Sequence, residues 1–140
     1  MNNLITAITT RVTTGPSSFY NDISGRFYLD QAPDDSPRTF PDCIWLIVVD
    51  VPDNSFKQLG EEISIQFSLF SASSSVSEIS TMYTDLKSLF DDVKLTVTSS
   101  TMVIMKRERL VTFMEDIVTT SGTQRVKVWN VDYSITLQAT

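Results

Sequence analysis

The sequence predicts an α+β fold: a mixed, mostly antiparallel β-sheet carrying a short N-terminal helix and one long amphipathic helix. Three observations predict it. Residues 62–70 alternate strictly, with Ile63, Ile65, Phe67 and Leu69 on one face and Glu62, Ser64, Gln66 and Ser68 on the other, the period of a strand. Residues 76–90 place Val76, Ile79, Met82, Tyr83, Leu86, Leu89 and Phe90 on one stripe, the period of a helix that lies on a sheet. The final third is rich in β-branched and aromatic residues with short connections, which favours antiparallel pairing. The 140 residues suit a single domain spanning 1–140.

Each element follows in order. Leu4, Ile5, Ile8 and Val12 form one narrow apolar face, predicting a helix over 3–13 with Asn2 or Asn3 as its cap and Gly15-Pro16 as its stop. Its threonines at 6, 9, 10 and 13 are weak helix formers, so packing must hold it. Gly25 to Pro33 reads as a short apolar segment ending at a proline. Residues 30–42 form a loop, with Pro33, Pro37 and Pro41 each biasing the preceding residue away from helix. A loop this long in a small chain is a candidate contact arm.

Residues 43–51 are apolar at nearly every position, as expected of a central strand covered on both faces. A second polar connection covers 52–60. Ser75-Val76-Ser77-Glu78 reads as a capping box opening the helix over 76–90. Two further apolar-polar segments occupy 94–105 and 107–118, and Gly122 marks a turn. In the last strand, 125–138, Trp129, Val131, Tyr133, Ile135 and Leu137 share one face. Val126 and Val128 fall on the opposite face, a phase change that suits a bulge or a strand end contacting something else.

Composition narrows the chemistry. Histidine is absent, which removes the commonest general base and transition-metal ligand. With no G-x-S-x-G elbow either, a serine-histidine hydrolase is excluded, and the sequence points away from an enzyme. The lone Cys43 allows neither an intramolecular disulfide nor a cysteine metal cage, and reads as a small buried hydrophobe. Asp34-Asp35, with Asp30 and Asp42 nearby, lack the ligand spacing and glycine of a calcium loop. No cofactor or metal is expected. No secretory leader or membrane span is read, the longest apolar run being 44–49.

A net charge of −6 argues against general nucleic-acid binding. The one basic cluster, Lys106-Arg107-Glu108-Arg109, could meet a neighbouring subunit's acids, face solvent at a strand rim, or touch DNA phosphate. Phe19-Tyr20 and Phe27-Tyr28 fit core packing and interface contact better than base stacking.

The order of these segments resembles the tail-completion (tail-terminator) proteins of long-tailed bacteriophages. The residues carrying the resemblance are Gly25-Arg26-Phe27 through Ala32-Pro33, the strand 43–49, the Glu62-Ile63-Ser64-Ile65-Gln66-Phe67 strand with its helix, and the closing Val131-Asp132-Tyr133-Ser134-Ile135. Its longer 30–42 and 52–60 loops and threonine-rich first helix depart from the family pattern. The resemblance implies a virion protein of the tail or neck, assembled in the host cytoplasm as a six-membered ring. Such a ring caps the tail tube protein and joins it to the head-side connector protein, with DNA passing through its lumen; the chain's net acidity makes an acidic lumen that repels phosphate the expectation. The expected contacts are Asp34, Asp35, Arg38 and Phe40 of the first loop, and Lys106, Arg107, Glu108 and Arg109. A monomeric adaptor, or neck or baseplate module, is the competing reading, with a carboxylate enzyme behind it.

Overall fold

A computed structural model describes residues 1–32, 38–52, 60–119 and 122–139. The fold is α+β. Helices α1 (Asn2–Thr14), α2 (Phe19–Asp22) and α3 (Ser77–Phe90) accompany strands β1 (Phe27–Leu29), β2 (Asp42–Pro52), β3 (Gly60–Ser71), β4 (Thr96–Val97), β5 (Ser100–Thr119) and β6 (Gly122–Ala139). They form one sheet in the order β1-β2-β3-β6-β5-β4. Among the described residues β1 and β2 run parallel, and the other pairs are antiparallel.

The helices share one face of this sheet. Leu4, Ile8 and Val12 of α1 and Ile79, Met82, Leu86, Leu89 and Phe90 of α3 join a single cluster with Ile63, Ile65, Phe67 and Leu69 of β3. Phe67 is its centre, with ring centroids 6.2 Å from Trp45, 5.0 Å from Phe90 and 5.7 Å from Tyr133. Alternation in β3 predicted this face, because burying one side of a pleated strand requires apolar residues at every second position.

Local chemistry explains most element ends, and two expected caps differ. Neither Asn2 nor Asn3 caps α1: both lie inside it, and the Asn3 amide donates to the Thr98 carbonyl 3.0 Å away, tying the helix to the β4–β5 turn. The hydroxyls of Thr13 and Thr14 bond back to the carbonyls of Thr9 and Thr10, which satisfies them within the helix without strengthening it. Ser75 and Glu78 form no reciprocal capping box. Ser75 Oγ accepts from the Ser77 amide, while Glu78 receives the Ser71 hydroxyl at 2.7 Å, because that buried hydroxyl needs a partner. Gly25 turns with φ +75, a conformation glycine adopts without strain, and aims Phe27 at Trp45, 5.9 Å away and stacked. Helix α2, unanticipated from the sequence, buries Phe19 completely.

Three strand expectations also change. Residues 100–119 form one strand rather than two segments. Strand β6 pairs with β3 without interruption from Gln138 to Lys127. The irregularities lie instead on β2, between Ile47 and Val49, and on β5, between Met102 and Met105 and between Arg107 and Arg109. Val126 and Val128 change phase because they build a second apolar cluster on the opposite face, with Phe70, Phe40, Ile44 and Ile117. Finally, β2 is not covered on both faces throughout: Val48, Val49 and Val51 are each about half exposed.

Candidate assembly surface

Among the described residues the second face of the sheet carries no helix, and its middle is polar. Registers place Ser64, Gln66 and Ser68 of β3 beside Ser134, Asp132 and Asn130 of β6. The Gln66 amide donates to Asp132 Oδ1 at 2.9 Å, and the Ser68 hydroxyl to Asn130 Oδ1 at 2.7 Å. Arg109 pairs with Asp132, and the Ser134 hydroxyl bonds to Glu108. Cross-strand pairs of this kind hold a wetted face in register. Where the β2 and β5 irregularities flank these strands, a groove of about 420 Å³ opens between Val48, Val49, Gln66, Glu108, Arg109 and Asp132.

Among the described residues both long edges of the sheet are open over much of their length. Strand β1 pairs only with Cys43–Trp45, and the Asp30 amide adds one bond to the Trp45 carbonyl. Among the described residues, β2 therefore has no strand partner on that side from Leu46 to Pro52. On the far edge, β4 pairs with Ser100 and Thr101, and Val93 bridges Met105. From Lys106 to Thr119, β5 has no outer strand among the described residues. Unpaired strand backbone is a template for another strand. Both edges also carry exposed apolar side chains: Val48, Val49 and Val51 on β2, and Val111, Phe113, Met114 and Val118 on β5, the last 81% exposed.

Beyond Lys127, β6 pairs with β5 alone. The end of this hairpin thus projects past the sheet by about 16 Å at strand rise.

The residues singled out from the sequence are dispersed on this frame. Asp34 and Asp35 lie outside the described residues. Arg38 Nε and Nη2 donate to Asp42 Oδ2 and Oδ1 at 2.9 and 3.0 Å, and its guanidinium lies over Phe40 and Phe70. These side chains therefore close the second apolar cluster within the chain. Burial pushes the Asp42 carboxyl up, and Arg38 pulls it back. Residues 106–109 do not form one patch. Arg107 is directed to the helix side, where Nε bonds to Asp91 at 3.2 Å and Nη1 to the Tyr83 hydroxyl at 2.6 Å, while Glu108 and Arg109 pair across the wetted face. Lys106 is exposed. Arg109 and the Phe40 cluster are separated along β6 by Asp132 to Val128, roughly 13 Å.

Two carboxyl pairs stand outside this surface. Asp22 is pushed up to about 7 by burial and by the Asp85 carboxyl beside it. Glu61 is raised by a hydrogen bond with Asp50 at the open end of β2 and β3. Among the described residues, no group of three His, Cys, Asp or Glu side chains stands close enough to hold a metal ion.

Sequence reading missed the exposed valines and the β5 edge residues, because an apolar run reads the same whether a protein core or a partner covers it. Pro52, at the end of β2, was the available signal, since proline within a strand belongs to an edge.

No protein-family profile matches the sequence, and no curated protein matches it. The fold does have a counterpart. A chain from a solved structure described as "Virion of native gene transfer agent (GTA) particle" superposes with a TM-score of 0.70, covering 96% of this chain and 93% of that one at 7% identity. At that identity the likeness is one of fold.

Proposed function

We propose that the protein is a structural subunit of a phage-like virion, a ring-former that caps the tail tube and joins it to the head-side connector. The observation that carries this reading is the shared fold over nearly the full length of both chains, one of them part of a gene transfer agent virion. The order of segments resembling tail-completion proteins supports the position at the tube end. One-sided helices and two open edges on a single sheet suit a subunit that repeats around an axis, because heterologous contacts close into rings. The role is one of assembly rather than catalysis.

With the uncovered face turned inward, hydroxyls and amides line the channel, and Glu62, Glu108, Glu115 and Asp132 stand against Lys106 and Arg109. That lining is net acidic, in the sense expected from composition, though mixed. It would let phosphate pass by offering no cluster of cations to hold it.

Native mass spectra over a wide concentration range, with negative-stain images of the same samples, test the reading. A discrete hexamer imaging as a ring is expected, alone or on addition of tail-tube protein. A monomer under both conditions overturns the ring and favours a monomeric adaptor.

A further inference from the structure

Resting on the ring reading, the geometry points to a particular seam: the free edge of β2 in one copy pairs antiparallel with the free edge of β5 in the next, Val49 opposite Phe113. The sheet has four long strands, β2, β3, β6 and β5, each antiparallel to its neighbour. An even number of alternating strands leaves opposite chain directions at the two edges. Rotation about an axis along the sheet then brings β5 beside β2 in the antiparallel sense, with the helices of every copy on the same side.

The offset follows from closure. Strands in a closed sheet tilt by about 35–45° and lie about 4.8 Å apart. Four strands therefore displace the seam by about 13–19 Å, roughly four to six residues. Keeping each side chain on its own face requires an even offset. The in-sheet registers place Val49 level with Ser64, Ser134 and Lys106.

An offset of four residues would set Val49 opposite Val111, but Val51 opposite Arg109 and Ile47 opposite Thr112. An offset of six sets Val49 opposite Phe113, Val51 opposite Val111 and Ile47 opposite Met114, so three apolar pairs form from side chains that are mostly exposed in the single copy. The six-residue offset also carries Arg109 toward the end of the neighbour's sheet where Glu62 shares its face. Beyond Glu115 the hairpin must leave the sheet plane to clear β1, which brings exposed Val118 toward exposed Leu29.

Paired cysteines test the seam. The double variant Val49→Cys/Phe113→Cys, oxidised mildly and run without reductant, is expected to give a covalent ladder from dimer up to a closed species. The comparison variant Val49→Cys/Val111→Cys reports the four-residue offset, and native Cys43 is fully buried and its thiol raised by burial. Cross-linking of the Val111 pair alone overturns the register. Rings on the grid with neither pair cross-linked overturn the seam and leave the ring standing. Neither rings nor cross-links, with thermal melts as in the parent, overturn both.

Discussion

The guanidinium of Arg38 lies 4.0 Å from the ring centroid of Phe70 while it holds both oxygens of the fully buried Asp42. One side chain thus satisfies a buried charge and roofs an apolar cluster. Arg38→Ala would strand the Asp42 carboxyl, at a cost of about 3 kcal/mol by the usual price of an unpaired buried charge. Arg38→Lys keeps the charge but loses the two-pronged geometry and the stack, and should cost less. Urea unfolding measures both; a loss below about 1 kcal/mol for the alanine variant would show that the pair contributes little.

Asp22 makes stability depend on pH in a direction opposite to most carboxylates. The folded value for Asp22, about 7, exceeds its ordinary 3.8, so the native state binds more protons between those values. Its contribution is complete below about pH 4 and is lost as pH rises toward 7. Asp22→Asn should match the parent near pH 4 and exceed it at pH 8, by on the order of 1 kcal/mol once solvent screening is allowed for. Melting temperatures at half-unit pH steps would show the gap opening; a gap independent of pH would refute the raised Asp22 carboxyl.

Phe67 and Phe113 are both strand phenylalanines, yet their truncation should differ sharply. Phe67 is fully buried among Trp45, Phe90 and Tyr133, and Phe67→Ala should cost about 3–5 kcal/mol. Phe113 is 44% exposed, and Phe113→Ala should change the unfolding free energy of the single copy by less than about 0.5 kcal/mol. Its effect belongs to assembly, so sedimentation rather than denaturation should register it.

Gly15 reverses the usual benefit of replacing glycine by alanine. Its φ is −70, open to any residue, but an added Cβ would stand 2.2 Å from the Arg11 carbonyl oxygen and 2.6 Å from Leu89 Cδ2. The same junction is closed by Arg11 Nε donating to the Leu89 carbonyl at 2.9 Å, which satisfies the C-terminal end of α3. Gly15→Ala should therefore cost about 1–3 kcal/mol by overpacking. A neutral melt would mean that α1 and α3 separate easily.

The parts of the fold legible in the sequence are those where one element's period is set by one core. The 62–70 alternation placed β3 to within two residues, and the 76–90 stripe placed α3 to within one. Legibility failed where two environments compete for one strand. Residues 43–51 are apolar because their first half faces the core and their second half is exposed at an edge, and no pattern of hydrophobicity separates those causes. In 107–118 the alternation of charge and apolar residue is read through an irregularity at Arg107–Arg109, which puts these two arginines, two residues apart, on opposite faces. The capping box failed for a different reason: Glu78 had a buried hydroxyl, Ser71, to satisfy.

Helices on one face alone divide the residues of every long strand into two populations under different selection. Those beneath the helices answer to packing; on the bare side, apart from the cluster around Phe70, Val126 and Val128, they answer to the medium or molecule that meets them. A lineage can rewrite the second population repeatedly without losing the first. A fold can therefore be shared at a TM-score of 0.70 with only 7% identity.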